Sequence, residues 1–186
     1  MENFSLYMTM LGCKPQGRLT EQHDIFFGIA QELKDLIPDC QAFWPEADQK
    51  IHFDAWRKVQ YVDQHRVRIV ERNHSAEESD KRLYFINLGG YKANEFDEFH
   101  YKLLTVATSK AEAIQAAKKT AFYKHCGFPG ATSHIDDQYG VDVDDLYLIE
   151  DILPQKFKHR FQLQITESNE GLHDEIHVGY FKLSSF

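Results

Sequence analysis

Glu21 and His23 stand two residues apart, and so do His52 and Asp54. On an extended strand, residues at i and i+2 face the same side. Each pair therefore offers a carboxylate and an imidazole together. Such groups can hydrogen-bond each other, act as base and orienter, or ligate a divalent metal. The same types recur later as Glu98/His100 and His134/Asp136. Trp56 continues the strand parity of His52 and Asp54, and Tyr139 follows Asp136. Aromatic side chains there can wall a small-molecule pocket or belong to ordinary core. These ten residues are the ligand-binding candidates. Structural hydrogen bonding is the first expectation for the histidines, with a ligand pocket and a metal or catalytic centre as alternatives. A catalytic metal needs three converging protein ligands, and spacing alone shows no convergence. No catalytic residue, metal ligand or cofactor is therefore assigned.

Other chemical signals are weak. Gly12 and Gly89-Gly90 are not followed directly by a helix, so they fit neither a P-loop nor a dinucleotide fingerprint. They are expected to release the chain from a strand through a positive φ. No nucleophile elbow is present. Asp136-Asp137 and Asp142 to Asp145 lack EF-hand spacing and read as a solvated acidic loop. Cys13, Cys40 and Cys126 are odd in number and widely spaced, without a C-x-x-C pair. A disulfide framework is not expected. Cys40 and Cys126 read as packing residues, and Cys13 as a loop residue.

The elements that must position these residues repeat along the chain. Leu6 to Gly12 lines up with Leu83 to Gly89 at a displacement of 77 residues, which also carries Glu21 and His23 onto Glu98 and His100. His52-Phe53-Asp54 matches His134-Ile135-Asp136, and His65-Arg66 matches His159-Arg160, at larger displacements. Four signposts in the same order indicate an internal duplication.

Within one unit, Ser5–Leu11 and Ile25–Ala30 read as strands, and so do Arg82–Leu88 and Leu103–Ala107. Ser109-Lys110-Ala111-Glu112 is a capping-box sequence opening a helix to about Lys124. Its apolar stripe is Ile114, Ala117, Ala121 and Phe122. Pro38 either kinks the first helix or begins it. Hairpin strands follow around Asp63-Gln64, and again over Val143–Ile152 and Arg160–Ile165. The expected class is α+β: two pseudo-symmetric β-β-α-β-β repeats, mostly antiparallel sheet with helices packed on one side. The boundaries are 1–72, 80–167 and a C-terminal strand at 173–186, sharing one fold.

The chain has 186 residues and a net charge of −8, with 42% hydrophobic and 27% charged residues. This is a globular profile. An acidic chain is a poor partner for phosphate backbones, so nucleic acid is not expected. No apolar run reaches the ~20 residues of a membrane span, and Met1 to Ser5 does not open like a signal peptide. A cytoplasmic location without membrane association is the expectation.

Several strings together resemble a known family. They are Leu6-Tyr7 with Leu11-Gly12, Glu21-Gln22-His23-Asp24, Phe43-Trp44-Pro45-Glu46-Ala47 and His52-x-Asp54-Ala55-Trp56, followed by His134-Ile135-Asp136-Asp137 through Asp145. Over most of residues 5–155 they are similar to a bacterial family of uncharacterised proteins, the domain of unknown function 1543. The resemblance implies one or two domain copies, a bacterial cytoplasmic protein and no established activity. The second copy departs from the pattern in lacking a tryptophan at the Trp56 position. The leading expectation is a binding protein, taking a small-molecule or protein ligand at a cleft between the repeats, and forming a homodimer. The alternatives are a metal-dependent hydrolase-like enzyme using the Glu-x-His and His-x-Asp motifs, and an interaction module recruiting a partner through a sheet edge.

Overall fold

The computed structural model describes residues 4–47, 50–72, 79–91, 95–125 and 142–186. The chain divides into two compact units. Unit 1 is Met1–Ala76 with Leu153–Phe186, and unit 2 is Glu77–Ile152. Sheets are antiparallel and helices few, so the fold is α+β.

Unit 1 is built on strands β1 (Ser5–Cys13), β2 (Gln22–Ala30), β3 (His52–Val59) and β10 (His177–Lys182). They form a four-stranded sheet in the order β10-β3-β1-β2. Leu6, Tyr7, Leu11, Phe26, Phe27 and Phe53 are buried, which fills the core that the apolar runs anticipated. Between β2 and β3, Leu33–Leu36 makes a 3-10 turn that runs into helix α1 (Ile37–Phe43). Pro38 sits in the first turn of α1, where its missing N–H costs no helical bond.

A smaller sheet joins β4 (Tyr61–Val62), β5 (His65–Glu71) and β9 (Phe161–Glu167). Asp63 and Gln64, with φ of 48° and 61°, link β4 to β5. Two left-handed residues in a two-residue loop match the twist of a hairpin. β9 follows helices α3 (Ile149–Ile152) and α4 (Gln155–Arg160) and pairs with β5 from His65↔Glu167 to Glu71↔Phe161. The boundary 80–167 puts Phe161–Glu167 in the second repeat, and the sequence reading has the C-terminal strand complete an edge left open by that repeat. In space β9 pairs with β5, and β10 pairs with β3 through Phe181↔Phe53 and Lys182↔His52.

Unit 2 pairs β6 (Arg82–Tyr91) with β7 (Glu98–Ala107) on one side and β8 (Asp142–Leu148) on the other. Helix α2 (Lys110–His125) contacts β6 and β7. Ala107, Ala113 and Ala117 pack with Tyr84, Ile86 and Leu88 in its core. Ser109 caps α2 by accepting the Glu112 N–H at 3.2 Å. The Glu112 carboxylate reaches one residue further back than a capping box requires, to the Thr108 N–H at 2.7 Å. Asp142 to Asp145 open strand β8 instead of lying in a loop.

The two units share one register. β1 and β2 pair from Ser5↔Ala30 to Gly12↔His23, and β6 and β7 from Arg82↔Ala107 to Gly89↔His100. A bulge interrupts the β1–β3 ladder between Met10 and Leu11, and the β6–β8 ladder between Asn87 and Leu88. All of these positions are displaced by 77 residues on β1 and β6.

Candidate functional site

One row crosses the four-stranded sheet of unit 1. His23 on β2 stands opposite Gly12, Gly12 opposite His52, and His52 opposite Lys182. Directly opposed residues share a face of the sheet. The bulge then adds Asp54 to the row. Leu11 pairs with Phe53 and Met10 with Ala55, so Asp54 is the extra residue. An inserted residue bends the strand and re-aims its side chain. The Asp54 carboxylate consequently lies beside His52.

The four repeated-motif residues of the first half meet here. His52 Nε2 is 3.0 Å from Glu21 Oε1 and 3.2 Å from Asp54 Oδ1. The other Asp54 oxygen, Oδ2, is 3.2 Å from His23 Nε2. Side-chain exposure runs from 6% at His52 and 19% at Asp54 to 41% at His23 and 44% at Glu21. The cluster is buried at one end and open at the other. Despite these short distances, His52 Nε2 and Asp54 Oδ2 have no aligned hydrogen-bond partner among the described groups. Proximity without alignment leaves the hydrogen-bonding capacity unused. Among the described residues, no group of three or more His, Cys, Asp or Glu is arranged to hold a metal ion.

Gly12 makes the cluster possible by its size. It lies inside β1 and is not among the positive-φ residues, so the expected exit turn is not its role. A Cβ there would overlap Asp54 Oδ2 and His52 Nε2. The two side chains lie over bare backbone. Sequence reading missed this role, although its signal was visible: a glycine inside an apolar strand marks a bulge or a close approach. Cys13, next in the strand, is fully buried, and its Sγ lies 3.6 Å from the Ala47 carbonyl oxygen. It is not the loop residue expected.

The bulge also corrects the placement of Trp56. One inserted residue shifts the alternation, so Trp56 pairs with Thr9 and joins the opposite face from His52. Its ring stacks on His177 at 3.8 Å and approaches the buried Tyr7 at 6.4 Å. Trp56 is therefore not a wall of the His52 cluster.

The aromatic neighbour of His52 is Tyr180 on β10, with ring centroids 4.1 Å apart. Sequence reading did not single it out, because strand pairing between residues so far apart leaves no local pattern. Both rings line an open cleft of about 550 Å³, together with Gln41, Lys50, Lys182 and Ser184. That volume is in the range of small-molecule sites.

In the second half, Glu98 and His100 are exposed on β7, and His100 stands opposite Gly89 as His23 stands opposite Gly12. His134, Asp136 and Tyr139 lie outside the described residues, as does Cys126. The ladder gives the strand position of His52 to Asp142, which pairs with Gly89, and the bulge position of Asp54 to Asp144. The alignment of His52 with His134 is thus replaced by one eight residues further on.

No curated protein matches the chain. Among solved structures it is similar to the crystal structure of a protein Il1583 from Idiomarina loihiensis. The identity is 22% and the TM-score 0.64, covering 97% of this chain and 99% of that one, which is a likeness of fold. Residues 18–69 match the family model described as Domain of Unknown Function (DUF1543). That segment contributes Glu21, His23, His52 and Asp54, so the likeness to the domain of unknown function 1543 family covers the residues of this cluster.

Proposed function

We propose that the chain is a small-molecule-binding protein whose ligand lies in the cleft against His52 and Tyr180. One observation carries this reading. His52 is nearly buried, touches two carboxylates, and still has no aligned hydrogen bond at Nε2. Leaving a buried polar atom unsatisfied costs about 1–3 kcal/mol, and a ligand that completes it recovers that cost. The cleft beside it gives a ligand access. Unit 1 supplies every residue of this site, so the ligand needs no cleft between repeats.

The equal strand registers and bulges of the two units support an internal duplication. On that view the second copy keeps the glycine and the first histidine but exchanges the second histidine for an aspartate. The copies would then not be equivalent binders.

The test is a thermal-shift screen of a metabolite library against the wild type, His52→Gln and Tyr180→Ala. Tyr180 is exposed, so its truncation leaves the fold intact. A compound that stabilises the wild type by several degrees and neither variant is the expected result. A library in which every stabilising compound acts equally on all three proteins refutes the reading.

A further inference from the structure

We propose that the ligand of this cleft is a small anion, held through a carboxylate or phosphate group by Lys50 and Lys182. The inference rests on the binding reading above and names the ligand's charge. The chain as a whole is acidic, with 29 Asp and Glu against 21 Lys and Arg. The cleft reverses that balance. Its lining holds two lysines and no carboxylate. Neither ammonium forms an ion pair with a described carboxylate, whereas Lys34 pairs with Glu32 and Lys156 with Asp39. Lysines left unpaired together in a concave site on an acidic protein concentrate positive potential where an anion can enter.

The sheet fixes this geometry. Lys182 is the direct cross-strand neighbour of His52, in the row that also holds Gly12 and His23. Lys50 precedes β3, two residues before His52. Gln41 and Ser184 add neutral polar groups to the lining, and Ile37 and Ile51 add apolar surface. Glu21 and Asp54 stand beside His52 Nε2 and repel negative charge from that nitrogen, so an uncharged part of the ligand completes it. The anionic group therefore meets the lysines, and any hydrogen-bond donor on the ligand turns toward the carboxylates. The ligand is oriented by charge along the row.

The test is a titration of the full chain, followed by amide NMR shifts at Lys50, His52, Tyr180 and Lys182. Four probes are used: inorganic phosphate, succinate, neutral succinamide and cationic 1,4-diaminobutane. The variant is Lys50→Gln/Lys182→Gln, whose two positions are exposed and do not support the core. Saturable shifts at these amides with phosphate or succinate are expected. The double variant should weaken them about tenfold or more, with an unchanged melting temperature. Saturation by phosphate alone identifies a phosphoryl group, and saturation by succinate alone a carboxylate. Saturation by succinamide or diaminobutane, with none by the anions, overturns the anion proposal and leaves the binding reading standing. Anion shifts that persist unchanged in the double variant overturn it as well, since the lysines would not be the contact. Absence of saturation with all four probes also overturns it, and the library screen then decides the binding reading separately.

Discussion

Gly12 is the residue on which the candidate site depends most directly, because it contributes nothing but space. Gly12→Ala would place a methyl group where Asp54 Oδ2 and His52 Nε2 now lie. Both atoms end side chains that can rotate, so the protein should fold, with a loss of about 1–3 kcal/mol from displacing a buried imidazole. Urea denaturation measures the loss. Imidazole proton resonances of His52 and His23 should shift in the variant, and unshifted resonances would show that the row tolerates a methyl. Tyr7 tests burial on the other face. It is 1% exposed and donates its hydroxyl to the Gln31 carbonyl at 3.1 Å. Burial, with the nearby charges of Asp35 and Glu32, pushes its phenol up to about 12 from 10.0. The folded state then holds this proton more tightly than the unfolded chain. Its contribution is complete below pH 10 and is lost as pH rises toward 12, a fall on the order of 2 kcal/mol. Tyr7→Phe should flatten that limb of the stability profile. An identical slope in the variant would assign the fall to other groups.

At the scale of elements, the strands were legible in the sequence and their partners were not. Ser5–Leu11, Ile25–Ala30 and Arg82–Leu88 each lie within an observed strand, because apolar runs bounded by glycine or polar turns are local signals. The convergence of Glu21, His23, His52 and Asp54 depended on register and on a bulge, which are set between strands. The same bulge misled the reading of Trp56, since one extra residue reverses a face without changing composition. Lys182 and Tyr180 were invisible for a related reason: they reach His52 from a strand about 130 residues away. Asp174 holds the entry to that strand. Its Oδ1 accepts the Gln60 and Tyr61 N–H groups at 2.9 and 3.0 Å, while Oδ2 lies 3.9 Å from Arg57. Burial raises the Asp174 carboxyl above its usual range, against the lowering effect of these N–H groups and of Arg57. The hydrogen-bond acceptor therefore matters more than the charge. Asp174→Ala should cost about 2–4 kcal/mol by orphaning two N–H groups and a largely buried guanidinium. Asp174→Asn keeps an oxygen for both N–H groups and should cost less than half as much. Equal losses in chemical denaturation would show that charge, not acceptance, anchors the strand.

For the molecule as a whole, the chain order and the spatial order disagree. Unit 1 begins the chain and ends it, with unit 2 between. Two of the strands that complete unit 1 arrive only after residue 152: β9 beside β5 and β10 beside β3. A fragment ending at residue 76 would therefore leave β3 with a bare edge and remove the long partner of β5. Exposed strand edges with apolar side chains recruit other chains. The fragment would also lose the aromatic contacts of Phe4 with Phe161 and of Phe53 with Phe186. Residues 1–76 alone should aggregate or give a collapsed amide spectrum with little dispersion. Joining residues 1–76 to 153–186 through a flexible linker restores both ladders without unit 2. That chain should give a dispersed spectrum and cooperative unfolding, and it should still show the anion-dependent shifts at Lys182 and His52. A well-dispersed spectrum from residues 1–76 alone would mean that the late strands decorate an already stable core. The cleft would then be an addition to the fold rather than a consequence of how it closes.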